Sequence, residues 1–484
     1  MPIPGQKLTI RDPGLGLSET SGNVFLFFGT ASAGVDYQIL PVNSPGAATD
    51  AWGDGELPEA VAHALDVAGG PVYGCKLPNI TAGAAGAVTK TGVSTSTGTV
   101  TVAGASFGRY EAIVEITKTG ALGVAEFRYS LDNGKTWAEA RLVPAGGTFL
   151  IPRTNLTLTF VAGAGPVLFE RGDLHKFTST APGYSVTELG LAFDALNTYL
   201  STAPDFTLDT VVLLARHATG SAAVTVFGAL AVRLAGLETI YRYVSAIMDA
   251  GSGDTRANVK TAFAAVADRR IAVVYGDAVI ASSKPFAGFG APKTSALVAV
   301  AARAAASLPS TSLARVADGP LTGVLSISHD EYITEDLDAA KITTLRTWPS
   351  APGFFVTKGR MKSPAGSDFK SWQHRRVMDL ACRTVVRAQQ PFIESELRAV
   401  AGGKIAPTEA RRIEEIVKDA MRQALLDPKN AGGRKGHVSD FGYQVDQTNN
   451  IVSTEELLVS ISVVPLGYVS AITATIGFAL TVNQ

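Results

Sequence analysis

The residues best suited to chemistry in this sequence are its histidines, cysteines and glycine-rich loops, and their spacing argues against most of what they could do. A metal site draws its ligands from short patterns such as His-x-x-x-His or paired Cys and His. The six histidines, His63, His175, His217, His329, His374 and His437, form no such pattern. Cys75 and Cys382 stand far apart and offer neither a ligand pair nor a disulfide framework. They read as two small buried hydrophobes in a reducing compartment. His329-Asp330-Glu331 is the one histidine beside carboxylates in sequence, and it reads as a polar loop. Gly288-Phe-Gly290-Ala-Pro-Lys293 lacks the third spaced glycine of a dinucleotide-binding turn. Gly402-Gly-Lys404 lacks the upstream glycine of a phosphate-binding loop. The chain is read as lacking a Gly-x-Ser-x-Gly nucleophile elbow. A Ser-His-Asp triad collects its members from distant positions, so a hydrolase stays open as an alternative. No catalytic, cofactor-binding or metal residue is assigned, and no cofactor is implied.

One short motif does carry a mechanism. Ser130-Leu-Asp132-Asn-Gly134-Lys-Thr136-Trp137 has the form Ser-x-Asp-x-Gly-x-Thr-Trp and resembles the Asp-box of sialidases and related β-proteins. Asp132 is placed to cap a hairpin turn, Gly134 to take positive φ, and Trp137 to fold back on the hairpin. Ser130, Asp132, Gly134 and Trp137 are therefore expected to form a structural turn. In sialidases the box is repeated and lies away from the active site, whereas here it occurs once. A glycan-binding protein built around this β region is a further alternative, chiefly as a contact with the host surface.

The elements that would position these residues alternate in kind. Residues 7–10 read as a short strand on an N-terminal arm. Residues 23–29 and 71–75 are continuous apolar runs, suited to strands buried on both faces. Residues 57–68 carry Leu57, Val61, Ala64, Leu65 and Ala68 on one helical face. Thr81 to Thr99 is rich in Gly, Ala, Thr and Ser and reads as a linker. From 99 to about 180, alternating strands and turns predict an inserted β-sandwich or barrel. Helical patterns at 186–200, 224–249 and 297–306 then alternate with strands at 210–215 and 271–275, and 324–327 is a further apolar run. That alternation predicts a mostly parallel sheet covered on both faces. Ser367-Asp368 can cap a helix that Pro391 ends. A helix from about 408 to 426 carries Ile413, Ile416, Val417, Ala420, Met421, Ala424 and Leu425 as one stripe. Two β-rich segments, 457–464 and 469–480, close the chain.

Composition narrows the function. Apolar residues make up 46% of the 484, enough to bury a core and exclude disorder. Charged residues make up 18%, against an average of about 25%. Lys+Arg 42 against Asp+Glu 43 gives no basic surplus for direct nucleic-acid binding. A sparsely charged, neutral surface favours self-association. Residues 357–437 hold 17 Lys/Arg and 9 Asp/Glu, and the remainder is acidic. This polarity suggests docking onto an acidic partner or onto neighbouring copies. The N-terminus has no apolar run to serve as a signal peptide, and no membrane span is expected.

From about 285 onward the sequence resembles the tail sheath proteins of contractile phage tails and related injection systems. Ala291-Pro-Lys, Asp318-Gly-Pro-Leu-Thr-Gly323 and Leu337 to Leu345 resemble the family's last core stretch. Gly353-Phe-Phe-Val-Thr-Lys-Gly359-Arg, Ser367-Asp-Phe369 and Arg376-Val-Met-Asp379 resemble the start of its C-terminal domain. Tyr443-Gln-Val445-Asp446, Asn449-Asn450 and Leu457 to Pro465 resemble its closing β-unit.

The resemblance implies an α/β core of subtilisin-like, non-catalytic type, with an inserted all-β domain and an α+β C-terminal domain with extended terminal arms. The expected division is an arm 1–22, a core 23–86 and 183–356, the insertion 87–182, a C-terminal domain 357–454 and an arm 455–484. Copies are expected to form six-fold rings stacked helically around a tail tube, capped by baseplate and tail terminator proteins. Contraction would carry a metastable array to a more stable one and drive the tube through the host envelope. The place of action would be the virion tail, after assembly in the host cytoplasm. Arg411, Arg412, Lys418, Arg422, Lys429, Arg434 and Lys435 are the tube-facing candidates. Leu8, Ile10, Leu457, Val459, Ile461, Val463, Ile472 and Ile476 are the candidates for strands shared between copies.

Overall fold

The computed structural model describes residues 24–92, 96–163, 168–203, 206–215, 217–281, 293–332, 336–427 and 436–469. Two units divide the chain, Met1–Arg383 and Thr384–Gln484. The first begins with β1 (Phe25–Gly29), β2 (Ile39–Val42), α1 (Pro45–Trp52), α2 (Glu56–Ala68) and β3 (Val72–Lys76). The insertion follows, with β4 (Ala84–Ala85), β5 (Thr89–Thr91), β6 (Thr99–Ala103), β7 (Glu111–Lys118) and β8 (Glu126–Ser130). It continues through β9 (Arg141–Leu142), β10 (Thr148–Ile151), β11 (Leu156–Val161) and β12 (Leu174–Thr180). Helices and strands then alternate: α3 (Val186–Thr202), β13 (Thr210–Leu213), α4 (Gly220–Thr239), β14 (Ser245–Asp249), α5 (Arg256–Ala262) and β15 (Ile271–Val274).

The main sheet runs β15-β14-β13-β1-β3-β2. Its pairs are parallel except for β2, which joins β3 antiparallel at the edge. The strands are mostly apolar because both faces are covered. Phe25 and Phe27 face one core cluster with Trp52, Leu57, Val61 and Leu297. Leu26 and Phe28 face the other with Phe193, Leu196, Phe227 and Phe263. Gly74 is obligatory here, since a Cβ on it would stand 2.3 Å from the Trp52 ring.

One expected element divides in two. Residues 224–249 read as helix, but α4 stops at Thr239, Tyr241 turns the chain at φ 61, and 245–249 form β14. A short apolar run buried on both faces has no alternation to separate strand from helix. α4 is 20 residues long with a hydropathy of 1.6, enough by length and composition to cross a bilayer. Its Ala223, Phe227, Leu230, Leu234 and Leu237 are instead built into the second core cluster.

In the insertion, β6, β10 and β11 form one sheet, and β4, β12, β7, β8 and β9 another with β5 beside β12. Both contribute to a third core around Phe127, Tyr129, Leu158, Phe160 and Phe169. The stretch read as a linker thus supplies two short strands, β4 and β5, to β12. The insertion's two ends meet where Thr81 N donates to Gly183 O at 3.0 Å and Gly183 N to Thr81 O at 2.9 Å.

The first unit is completed by β16 (Asp277–Ile280), β17 (Lys293–Ser295), α6 (Ala296–Ala306), β18 (Val324–Ile327), the hairpin β19 (Leu345–Trp348) and β20 (Ala351–Val356), and the start of α7 (Trp372–Gln389). Ser367 does not cap α7: its Oγ accepts from Phe369 N in a preceding turn, and the helix begins at Trp372. The second unit contains β21 (Ala399–Val400), β22 (Lys404–Ile405), α8 (Pro407–Met421), β23 (Val438–Val445), α9 (Ile451–Thr454) and β24 (Val459–Pro465). α8 buries Ala410, Ile413, Val417 and Met421 and continues as a π turn, Arg422–Leu426. The expected stripe departs at Ile416, which is exposed.

Candidate functional site

The carboxyl ends of the parallel strands are where an α/β enzyme would place its chemistry. A Ser, a His and an Asp do converge there. Asp249 ends β14 and accepts from Gly251 N at 2.8 Å and Ser252 N at 3.0 Å. Its other oxygen accepts from Ser252 Oγ at 2.5 Å and Ser295 Oγ at 2.8 Å. Ser295 is also the N-cap of α6, accepting from Leu297 N at 3.3 Å. Burial holds the His217 imidazole below its ordinary pKa, with the Asp249 charge opposing. A nucleophilic serine needs a histidine to take its proton. Ser295 Oγ directs its hydrogen bond to the carboxylate instead of to a histidine, so the arrangement ties a strand end to a helix start. The sequence reading missed this convergence; the only signal was the run Asp249-Ala-Gly-Ser-Gly-Asp254 after an apolar segment.

A literal Gly-x-Ser-x-Gly, Gly104-Ala-Ser106-Phe-Gly108, also escaped that reading. It follows β6 in the insertion and leads into no helix, as a nucleophile elbow must. Ser106 is fully buried and its Oγ donates to Gly108 O at 2.6 Å. His329-Asp330-Glu331 is likewise structural. Glu331 is buried and accepts from Asp336 N at 2.6 Å, Asp338 N at 3.1 Å and Thr344 Oγ1 at 2.5 Å. Burial would raise its pKa, but these bonds and His329, 3.7 Å away, outweigh it and bring it to about 2. Among the described residues, no cluster of three or more His, Cys, Asp or Glu could hold a metal ion.

The Asp-box forms the turn its residues dictate. Asp132 Oδ1 accepts from Lys135 N at 3.0 Å and Thr136 N at 2.9 Å, and Oδ2 from Thr136 Oγ1 at 2.7 Å. Ser130 Oγ donates to Asp132 at 2.6 Å and accepts from Gly134 N at 2.8 Å. Gly134 sits at φ 86, and Arg128 stacks 4.4 Å from the Trp137 ring centre. The turn also docks the insertion on the core, since Lys135 Nζ reaches Ser326 Oγ at 2.5 Å. A second tie joins Arg153 to Asp54 at 2.5 Å.

The basic stretch 357–437 serves two purposes. Arg360 grips Asp338 with two bonds of 3.0 and 2.7 Å. Arg376, fully buried, pairs with Asp209 at 2.7 Å and donates to Ala304 O and Ser307 O. Arg383 adds a second contact to Asp209 at 3.2 Å, and Arg270 meets Asp379 at 3.1 Å. These cations neutralise carboxylates of their own unit, so they are not the free docking surface that the charge polarity suggested. On α8 and its π turn, Arg412 pairs with Glu409 at 2.8 Å, Lys418 with Glu414 at 3.1 Å and Arg422 with Asp419 at 2.7 Å. Arg411 is exposed. Lys429, Arg434 and Lys435 lie outside the described residues.

Val459, Ile461 and Val463 lie in β24, which pairs antiparallel with β23 through Val445↔Val459, Tyr443↔Ile461 and Phe441↔Val463. Among the described residues this sheet has two strands, so each keeps one unpaired edge. Leu457 is half-buried just ahead of β24. Leu8, Ile10, Ile472 and Ile476 lie outside the described residues.

This fold is similar to that of solved chains from a contractile particle. The cryo-EM structure of the contracted helical sheath of the anti-feeding prophage matches at a TM-score of 0.51 and 14% identity, covering 99% of this chain and 100% of that one. A chain of the same particle's baseplate matches at 0.52 and 13%, covering 99% and 100%. The crystal structure of the sheath tail protein of Desulfitobacterium hafniense is similar at 0.47 and 14%, covering 96% and 100%. No curated protein matches the sequence significantly. The chain belongs to the DUF2586 family, whose N-terminal domain matches residues 4–360 and whose C-terminal domain matches residues 368–483.

Proposed function

We propose that this chain is the structural protomer of a contractile tail sheath and not an enzyme. It would polymerise as stacked six-fold rings around a tail tube and shorten to drive the tube through a host envelope. The observation that carries this reading is the match along essentially the whole chain to a helical sheath. The open edges of β23 and β24 support strand exchange, because an unpaired edge is a template for a strand of another chain. The segments 1–22 and 466–484 are the strands we assign to neighbouring copies. The main sheet stands for the subtilisin-like core, without its catalysis. The insertion, 87–182, would face outward, where a host glycan contact is an added role. α8 with Arg411 would face the tube, and the array would end on baseplate and terminator proteins.

Purified protein examined by negative-stain microscopy should give rings, tubes or stacked discs. A chain that stays monomeric at high concentration and in the presence of tail tube ends the reading. Deletion should begin after Pro465, because β24 belongs to the fold of its own unit. Removing 466–484 should leave the protein folded and abolish polymerisation. Arg411→Glu is expected to weaken tube binding, and undiminished binding would remove α8 from the tube surface.

A further inference from the structure

Where the insertion rests on α2, two carboxyl groups of the core face one arginine of the insertion. Asp54 precedes α2, Glu56 and Glu59 stand in its first turn, and His63 follows one turn later. Arg153 of the insertion reaches Asp54 at 2.5 Å and Gly53 O at 3.4 Å. It does so from a left-handed backbone position, φ 65. Tyr110, also of the insertion, is 2% exposed, and the Glu59, Glu56 and Asp54 charges all act on its hydroxyl. Tyr184, just past the insertion, has a buried hydroxyl without a hydrogen-bond partner, and the Glu56 charge acts on it.

Glu59 is the carboxyl left over. Its Oε1 is shut off from solvent and accepts no hydrogen bond. The Arg153 charge acts on it, but Arg153 is already bound to Asp54, whose charge opposes that of Glu59. The other elements packed on α2 are α1, α6, β1 and β3, and they bring no free counter-charge. Lys76 of β3 is bound to Asp36 at 2.5 Å. Arg303 of α6 donates to Asp318 O at 3.1 Å and lies 3.9 Å from the Asp318 carboxylate. Asp50 of α1 is exposed and of the same sign, and β1 carries no charged residue. On α2 itself, burial holds the His63 imidazole down at about 4, so it is neutral.

We infer that a proton on Glu59 seats the insertion: the carboxyl is neutral while the seam is closed, and its ionisation draws in water and loosens the insertion from the core. A carboxylate without a partner in a closed seam is relieved either by a proton or by solvent. Burial pushes the Glu59 carboxyl up to about 8 from an ordinary 4.5, against the pull of Arg153 and with Asp54 assisting. The closed seam therefore holds a proton that the open seam gives up. Closure is firmest below pH 4.5, weakens as pH rises from 4.5 to 8, and changes no further above 8. The sign is opposite to that of Glu331, whose carboxyl is held down at about 2 and whose bonds fail in acid. The device lies within one chain and needs no neighbouring copy, so it goes beyond the sheath reading and stands without it.

Hydrogen exchange of the full chain at about pH 6 and about pH 8.5 tests it. After correction for the intrinsic pH dependence of exchange, the amides of residues 106–110 at the seam should open at least about tenfold more often at the higher pH. The amides of β1 and β8, which lie in the cores on either side, should keep their protection. Glu59→Gln has the same shape and cannot ionise, so it should remove the rise. Asp54→Asn frees Arg153 for Glu59 and should shrink it. Seam amides whose opening ignores pH overturn the inference. So does a rise undiminished in either variant, and so does a rise shared equally by β1 and β8, which would report loosening of the whole chain.

Discussion

The two halves of the basic stretch use the same kind of side chain under opposite dielectric conditions. Before residue 384, Arg376 and Arg383 converge on buried Asp209, and Arg375 and Arg270 converge on buried Asp379. Along α8 and its π turn, Arg412, Lys418 and Arg422 each meet a carboxylate three or four residues away at the surface. A buried pair is costly to break because the survivor is left charged without solvent. An exposed helical pair is screened and contributes little. A regional charge count cannot separate the two cases. Only the second leaves side chains that can exchange their partners for another protein.

The largest test of that contrast is Asp209→Asn, which leaves the Arg376 guanidinium buried and unpaired. It should cost about 3–5 kcal/mol in urea unfolding, and a loss below 1 kcal/mol would show that the pair is not doing this structural job. Acid comes next. The folded pKa of Glu331, about 2, lies below its ordinary value of 4.5. Its contribution is therefore complete above pH 4.5 and is lost as pH falls toward 2, by on the order of 3 kcal/mol. Glu331→Gln should flatten that acid limb in pH-dependent melting. Asp132→Ala, which strips the insertion's turn of its bonds, should cost about 2 kcal/mol. It should lower the melting of the insertion, and an unchanged melting profile would reduce the Asp-box to decoration. Least of all, Lys418→Ala on α8 should change stability by less than about 0.5 kcal/mol. A loss as large as that of Asp209→Asn would erase the distinction between the two regions.

Much of the first unit was legible in advance because its strands are continuous apolar runs. β1, β3, β13 and β15 stand where Phe25–Phe28, Val72–Cys75, Val211–Leu213 and Ile271–Val274 place them. α2 and α8 follow from their three-and-four spacing. β14 was hidden for the same reason, since Ala-Ile-Met is apolar enough for either element. The functional surfaces were less legible. Asp209 meets its two arginines across 167 and 174 residues, and no spacing rule reaches that far. The same holds for Ser295 with Asp249 and for Lys135 with Ser326.

The meeting of Thr81 and Gly183 makes the insertion a detachable fitting. Chain enters and leaves the core through one pair of neighbouring residues, so whatever is strung between them adds no strain to the sheet beneath. A lineage, or an engineer, can exchange that module for another of different length. The core would register the change only through the loss of Lys135 and Arg153 as fasteners.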